Sequence, residues 1–158
     1  MLDYSEFTVV KNNEGTTLKK TTTEYNRDNR PTTITEHGEN TNHVTMRTYD
    51  TLGNIISETN PGNQVTTYSH DALSRLKSTT LANGLKTENI YDKNSNIVRQ
   101  DIISAEKTLT TRSTYDRDNR KISTTDTSGN TTTYAYNQLN QITRITDPKG
   151  IDTLYTYD

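Results

Sequence analysis

The sequence predicts an all-β protein, built as an array of consecutive antiparallel β-hairpins of 21–24 residues each. The main observation is a row of eight aromatic or imidazole residues, spaced 21, 24, 21, 21, 24, 21 and 21 positions apart: Tyr4, Tyr25, Tyr49, His70, Tyr91, Tyr115, Tyr136 and Tyr157. Spacing this regular indicates one short unit copied end to end. In addition, Thr makes up about a fifth of the chain and Tyr is plentiful, and both residue types favour strands.

Each repeat has the pattern of one hairpin, as the repeat that opens at Tyr136 illustrates. Residues 137–140 tolerate left-handed or Asx-turn conformations. Residues 147–150, Asp-Pro-Lys-Gly, have Pro at the second and Gly at the fourth position, as a type I turn prefers. Residues 141–146 and 151–156 lie between turns and are rich in Thr, Ile and Tyr. The order is therefore turn, strand, turn, strand.

Both turns recur in the other repeats. Counted from the opening aromatic, the fifth position of this first turn is Asn, Gly or Ser in every repeat from Tyr25 to Tyr136, which favours a positive φ at that position. This first turn is seen in residues 49–54, 70–75 and 115–120. The second turn contains glycine in residues 60–63, 81–84 and 126–129. We expect glycine to supply the backbone conformation that these hairpins need.

The tyrosines are expected to form a stripe. Residues two apart on a strand share a face, and this spacing joins Tyr134 to Tyr136 and Tyr155 to Tyr157. Equivalent tyrosines of adjacent repeats should stand about 9–10 Å apart, twice the strand spacing, so intervening side chains must fill the gap. The sixth position after the opening aromatic is aliphatic in four repeats: Ile55, Leu76, Ile97 and Ile142. Two hairpins have Pro31 or Lys121 there instead, with Ile34 or Ile122 as the nearest aliphatic, and are predicted to be weaker.

The chain is interpreted as a single repeat region, residues 1–158. Its units are predicted at 4–24, 25–48, 49–69, 70–90, 91–114, 115–135 and 136–156. The intervals 21, 24 and 21 occur twice, which defines a three-hairpin set whose second copy carries Tyr49 onto Tyr115. Either this set was duplicated, or a curved strip places its longer loops regularly along one rim. The extra residues of the two longer repeats are predicted in the loops at 37–41 and 104–107, where added length costs little.

The composition restricts both the core and the partners. Leu, Ile, Val and Phe together make up about a sixth of the chain, so we expect at least one broad face of the sheet to be solvated. The net charge is −2, without a basic stripe, and no stretch is long and apolar enough to span a bilayer, so neither nucleic acid nor membrane is a predicted partner. The chain has no cysteine, and residues 1–7 lack a signal-peptide pattern.

The repeated pattern resembles the YD repeat of Rhs proteins, from about Tyr4 to Asp158. Residues 70–76, His-Asp-Ala-Leu-Ser-Arg-Leu, and residues 125–137, Thr-Asp-Thr-Ser-Gly-Asn-Thr-Thr-Thr-Tyr-Ala-Tyr-Asn, carry it best. Proteins with such repeats include Rhs polymorphic toxins, the C subunits of ABC toxin complexes, wall-associated bacterial toxins and teneurins.

The resemblance implies a structural role. It implies hairpins running side by side in a twisted, curved strip that is part of a hollow β-shell around a toxin domain. The implied partners are neighbouring YD repeats and an encapsulated toxin domain missing from this chain, and the implied location is secreted or at the cell surface as part of a larger protein. The chain departs from the family because it lacks the terminal core region with its self-cleavage aspartate and has about eight units, too few to close a shell. Self-association through open strand edges is also expected.

No catalytic residue and no cofactor is predicted. An aspartate follows the opening aromatic in several repeats, and in two of them an arginine lies four residues further on: Asp71 with Arg75 and Asp116 with Arg120. Because the aspartate recurs at one turn position, as in Asp50 and Asp92, an Asx-turn with an ion pair is favoured over catalysis. The three histidines occupy different repeat positions, which disfavours a metal site: His37, His43 and His70.

The residues predicted to define the repeat are therefore structural. They are Tyr25, Tyr49, Asp50, Gly53, His70, Asp71, Arg75, Tyr91, Asp92, Tyr115, Asp116, Arg120, Gly129, Tyr134, Tyr136, Gly150, Tyr155 and Tyr157. The alternative function is cell-surface adhesion or carbohydrate binding, because exposed Tyr, Asn and Thr can stack on sugars and hydrogen-bond them. In that case Tyr134 and Tyr155 would face the glycan, whereas in a cross-strand tyrosine ladder they would only stabilise the sheet.

Overall fold

The computed structural model describes residues 4–158, and the side chains of residues 4–17 and 19–158. Residues 1–3, part of the N-terminal stretch considered above, lie outside the described residues. The chain divides into two compact units, the first ending at Asn83 and the second beginning at Gly84.

Both units consist of strands and turns. The strands of the first unit are β1 (Tyr4–Lys11), β2 (Thr17–Tyr25), β3 (Pro31–His37), β4 (Asn42–Tyr49), β5 (Ile55–Thr59), β6 (Val65–His70) and β7 (Leu76–Thr80). Those of the second are β8 (Lys86–Tyr91), β9 (Ile97–Ile103), β10 (Thr108–Tyr115), β11 (Lys121–Thr125), β12 (Thr131–Tyr136), β13 (Ile142–Thr146) and β14 (Asp152–Leu154).

Within each unit, strands that are consecutive in sequence pair antiparallel. The hairpin array predicted from the sequence is therefore confirmed. None of the described residues forms a helix with the length and apolar character needed to cross a membrane.

Most turns share one geometry, which the turn at residues 50–54 illustrates. The Asp50 N–H donates to the Asn54 carbonyl at 2.9 Å, and the Gly53 N–H donates back to the Asp50 carbonyl at 3.1 Å. This is a type I turn followed by a left-handed residue. The left-handed residue of the first turns has a φ between 59° and 94° in Asn29, Gly53, Ser74, Ser95, Asn119 and Asn140. The predicted positive φ at this position is confirmed.

The second turns with five-residue loops use the same geometry, with one exception to the predicted role of glycine. Gly84, Gly129 and Gly150 have φ values of 84°, 85° and 81°. In the turn at residues 60–63, however, Asn63 has the positive φ of 58°, and Gly62 does not. The prediction that glycine supplies this conformation is wrong there, because asparagine tolerates the left-handed region and occupies the fourth position.

The two longer repeats differ from the others in strand length. Strands β3 and β4 have 7 and 8 residues, as do β9 and β10, whereas β5 and β6 have 5 and 6. The loops 38–41 and 104–107 have four residues each, one fewer than the loop 60–64. The prediction that the extra residues lie in these loops is therefore wrong: they extend both strands of the hairpin.

Tyr4 also departs from the predicted spacing. It lies on β1 directly across from Tyr25, and the two rings stack with centroids 4.8 Å apart. The expected separation of two strand spacings is wrong for this pair because β1 runs straight through residues 4–11 without a first turn. The Tyr25 hydroxyl donates to Glu6 at 2.9 Å, and this hydrogen bond, with burial and the Glu6 charge, raises the pKa of Tyr25.

Neither unit has a hydrophobic core among the described side chains. The buried residues are polar, namely Asp101 and Ser113, which are 7% and 9% exposed. A single layer of polar strands agrees with the solvated sheet expected from the composition. Backbone ladders and side-chain hydrogen bonds, rather than apolar burial, hold the strands together.

Candidate functional site

The first candidate surface is the tyrosine face of each unit, defined by Tyr25, Tyr49 and His70 in the first unit and by Tyr91, Tyr115, Tyr136 and Tyr157 in the second. Each aromatic at a strand end pairs with the sixth residue after it: Tyr25 with Pro31, Tyr49 with Ile55, His70 with Leu76, Tyr91 with Ile97, Tyr115 with Lys121 and Tyr136 with Ile142. Cross-strand partners share a face, so this residue fills the gap beside the ring. That the Pro31 and Lys121 hairpins are weaker stays a prediction.

Four tyrosines of this face also tie together the two strands of their own hairpin. The hydroxyl at the end of the second strand donates to the carbonyl of the residue that opens the first strand: Tyr49 to Pro31 at 2.7 Å, Tyr115 to Ile97 at 3.1 Å, Tyr136 to Lys121 at 2.8 Å and Tyr157 to Ile142 at 2.7 Å. The hydrogen bond gives a physical reason for tyrosine rather than phenylalanine. Sequence reasoning missed it, although the recurrence of tyrosine at the end of each of these hairpins was a usable signal.

The second candidate surface is the first-turn rim, defined as residues 26–30, 50–54, 71–75, 92–96, 116–120 and 137–141. Its aspartates form the Asx-turns expected from the sequence. The Oδ1 atom of Asp71 accepts the N–H groups of Leu73 at 2.9 Å and Arg75 at 3.0 Å, and its Oδ2 accepts Arg75 Nε at 2.7 Å. Asp116 and Arg120 repeat this geometry. The pairs are architectural, because each carboxylate is engaged by its own turn.

The same hydrogen bonds keep these carboxylates ionised. The side-chain amide of Asn54 is the main cause that lowers the pKa of Asp50. For Asp71, burial raises the pKa, but the hydrogen bonds from the side chain and backbone of Arg75 outweigh burial and lower it. The backbone N–H of Arg120 lowers the pKa of Asp116 against opposing burial. Ionised, hydrogen-bonded acids of this kind are turn components rather than proton donors.

Adjacent first turns contact each other through their fifth residues. Side chains of this position donate to the fourth residue of the next turn: Asn54 to Ser74 at 3.1 Å, Asn96 to Asn119 at 2.8 Å and Arg120 to Asn140 at 3.0 Å. The Arg30 guanidinium lies against Gly53, where a Cβ would collide with it. At Gly53 the residue is therefore required to be small as well as left-handed. Sequence analysis recognised only the conformational requirement.

Two arginines of the rim also cover rings of the tyrosine face. The guanidinium of Arg30 lies 5.9 Å from the Tyr49 ring centroid, and that of Arg120 lies 5.0 Å from Tyr136. Both distances are within the range of cation–π attraction. The rim and the tyrosine face therefore form one connected arrangement at these two repeats.

The second turns place Gly129 and Gly150 at the left-handed position. In the turn that contains Gly129, the hydrogen bond from the Asn130 side chain is the main cause that lowers the pKa of Asp126. Next to them lie the two tyrosines of the glycan hypothesis. Tyr134 is half-buried opposite Ile145, whereas Tyr155 is 42% exposed. Glycan binding stays a prediction. Loss of glycan-array binding in Tyr134→Ala and Tyr155→Ala proteins that still fold would support it, and loss of folding would support the ladder.

The opposite side of the strands is a hydroxyl face, defined by residues directly before an opening aromatic and their cross-strand partners. Three hydroxyl pairs hydrogen-bond there: Thr48 with Ser57 at 2.6 Å, Ser69 with Ser78 at 2.7 Å and Thr114 with Ser123 at 2.6 Å. Strand alternation places them away from the tyrosines. Their hydrogen-bonding capacity is used between strands.

The histidines do not converge. His37 Nε2 lies 2.7 Å from Thr22 Oγ1, His43 lies opposite Glu36, and His70 Nδ1 is buried with no hydrogen-bond partner in the described part of the chain. No group of three or more His, Cys, Asp or Glu residues within residues 4–158 is arranged to hold a metal ion.

Comparison with known proteins agrees with the hairpin array. Residues 49–86 and 115–152 match the RHS Repeat family model. The two matched segments open at Tyr49 and Tyr115, which are equivalent positions of the three-hairpin set. No curated protein sequence matches the chain.

Several solved structures share the fold. The crystal structure of TcdB2-TccC3-Cdc42 matches with a TM-score of 0.67 at 11% identity, over 90% of this chain and 9% of that chain. The crystal structure of TcdB2-TccC3 matches with a TM-score of 0.63 at 14% identity, over 96% and 11%. The Photorhabdus luminescens Tc holotoxin pore with the TccC3 D651A mutation matches with a TM-score of 0.65 at 12% identity, over 90% and 9%. The chain thus spans about a tenth of these solved chains.

The two matched segments contain the same turns, opening aromatics and sequence-neighbour pairing, and these features account for the shared fold. Residues 49–86 and 115–152 are therefore identified as RHS repeats, and the chain has the fold of the repeats in these solved structures.

Proposed function

We propose that this repeat array forms part of the wall of a hollow β-shell, which encloses a toxin domain carried by the same larger protein. The observation that carries the proposal is the repetition of one hairpin whose turns and tyrosines connect it to its neighbours, in a fold shared with toxin-complex structures. The chain spans about a tenth of those structures, so it would supply one portion of such a wall.

The chemistry of the two faces suits an enclosing wall. The hydroxyl face pairs its donors and acceptors between strands, so it offers little to hold a passing polypeptide. The first turns carry at most one exposed leucine each, namely Leu52, Leu73 or Leu139, among mostly polar residues, which limits the size of any apolar patch. A wall of this kind separates its contents from solvent without binding them tightly.

The partners and the location follow from the same proposal. Further RHS repeats would continue the array, and the cargo would be a toxin domain elsewhere in the longer protein. That protein would act outside the producing cell, secreted or at the cell surface. The support is the fold that this chain shares with the P. luminescens Tc holotoxin pore.

Protease protection in the full-length protein tests the proposal. One protease site is inserted in the exposed loop 147–150 and, in a second version, in the segment that follows the repeats. We expect the loop site to be cut rapidly in the native protein and the cargo site only after urea unfolding. Equal cutting of both sites in the native state, or a reading frame with no domain beyond the repeats, would contradict enclosure.

A further inference from the structure

At His70 the repeated arrangement of the tyrosine face is incomplete. Where Tyr49, Tyr115 and other tyrosines reach a backbone carbonyl, the fourth opening aromatic is His70, and the corresponding carbonyl belongs to Ile55. An imidazole ring is shorter than a phenol and lacks its terminal hydroxyl. The space between His70 and the start of β5 is therefore not filled by the repeat's own side chain.

The cover above this position is also shorter than the cover above Tyr49 and Tyr136. Arg30 lies over the Tyr49 ring, and Arg120 lies over the Tyr136 ring. The rim residue that precedes His70 is Asn54, whose side-chain amide instead bonds to Asp50 and to Ser74. A short ring and a short cover coincide at this repeat.

The result is an open groove of about 520 Å³ on the tyrosine face of the first unit. Its lining consists of Gly53, Asn54, Ile55, Tyr68, His70 and Leu76. Ile55, Leu76 and the Tyr68 ring supply apolar and aromatic walls. A groove with apolar walls and a few polar groups is the usual form of a small-ligand site.

We propose that this groove binds a phenol ring. The bound ring lies beside the tip of His70, where its hydroxyl reaches the place of the missing tyrosine hydroxyl and donates to the Ile55 carbonyl, as Tyr49 donates to Pro31. The ring packs against Tyr68 and Leu76, where offset aromatic contact is favourable. This inference stands independently of the proposed function, because it rests on the geometry of one repeat.

The probe is p-cresol, the side chain of tyrosine without its backbone, titrated into the isotope-labelled chain and followed by NMR. We expect saturable shifts confined to His70, Ile55, Leu76 and Tyr68, with a Kd of about 1–10 mM for so small a ligand. The sugar methyl β-glucoside serves as the comparison ligand and should cause no saturable shift. Equal binding of the sugar, or p-cresol shifts spread over all tyrosines, would overturn the assignment.

Two substitutions fill the groove from within. His70→Tyr should abolish p-cresol binding and raise the Tm by about 2–6 °C, because it restores the hydrogen bond to Ile55 and removes the buried Nδ1 that has no partner. His70→Phe should also abolish binding but raise the Tm less, since it fills the space without donating. A His70→Tyr protein that binds p-cresol like the wild type, or that is less stable than the wild type, would contradict the proposal.

Discussion

The two long hairpins, β3–β4 and β9–β10, have the same backbone but different side chains on one face. They occupy equivalent places in the two copies of the three-hairpin set, with identical strand lengths and four-residue loops. On the hydroxyl face of the first, Thr35 lies opposite Val44; in the second, Asp101 lies opposite Thr110. The comparison shows that the turns and opening aromatics determine the hairpin backbone. The hydroxyl face tolerates different side chains: a hydroxyl beside an apolar group in the first hairpin and a charge cluster in the second.

The charge cluster of the second hairpin is centred on Asp101. Its carboxylate accepts Arg99 Nε at 3.0 Å and Thr110 Oγ1 at 2.7 Å, and it is 7% exposed. The hydrogen bond from Arg99, followed by that from Thr110, lowers the pKa of Asp101. In the first hairpin the position of Arg99 is taken by Thr33. The turn geometry that both hairpins share and the Asp101 cluster of the second hairpin can therefore be disrupted by separate substitutions.

The largest expected effect comes from breaking the shared turn geometry at its left-handed residues. Asn29 and Ser95 precede the two hairpins with φ values of 60° and 69°. Asn29→Val and Ser95→Val should each lower the free energy of unfolding by about 1–3 kcal/mol, since a β-branched residue is strained there. Urea denaturation measures the change, with Asn29→Gly and Ser95→Gly as controls that should stay within about 0.5 kcal/mol. Tolerance of valine at either site would show that the turn does not determine its hairpin.

A smaller effect should distinguish the two hairpins. Arg99→Met removes the cation from the nearly covered Asp101 carboxylate and should cost about 1–2 kcal/mol, a value discounted for the solvent close to a single-layer sheet. Thr33→Met at the equivalent position should change the free energy of unfolding by less than about 0.5 kcal/mol. Both values are measured in urea. Equal losses would mean that the Asp101 cluster contributes nothing specific.

The tyrosine hydroxyls should contribute equally to both hairpins. Tyr49→Phe and Tyr115→Phe each remove a donor to a strand-opening carbonyl and should cost about 0.5–1.5 kcal/mol. Thermal unfolding monitored by circular dichroism gives the two values side by side. Tyr155→Phe is the matched control, because this ring is 42% exposed, and its Tm should change least. A loss of stability in only one of the two variants would show that the tyrosines of the two hairpins are not equivalent.

The smallest expected effect is the pH dependence of the second hairpin. Because the folded-state pKa of Asp101 is lowered, its contribution is present above the ordinary aspartate pKa of about 3.9 and is lost as pH falls through the lower folded value. The difference in unfolding free energy between wild type and Asp101→Asn should therefore be constant above about pH 4 and shrink below it. The turn aspartates titrate in both proteins, so their contribution cancels in this difference. A difference that stays constant down to about pH 2 would contradict the ionised cluster.

Features that repeat along the chain were predictable, and features of single positions were not. The positive φ at Asn29 and its equivalents follows from residue type at a fixed position. The Arg99–Asp101–Thr110 contacts depend on the cross-strand register of β9 and β10, and the repeat spacing of the sequence does not give this register. The extra residues of the two long repeats were wrongly assigned to loops. The longer interval between aromatics gives the number of extra residues but not their position within the hairpin. The empty position beside His70 was visible as a replaced tyrosine, but its meaning required the carbonyl contact of the other repeats.

The tyrosine–carbonyl hydrogen bonds span only 15 to 18 residues. Each hairpin thus finds its stabilising partner within about one repeat of chain. A nascent chain leaving the ribosome can complete one hairpin before the next has been translated, because these contacts do not require a distant segment of the chain. Such an array can grow from its N-terminal end at the pace of synthesis, with each new hairpin added to the edge of the preceding one.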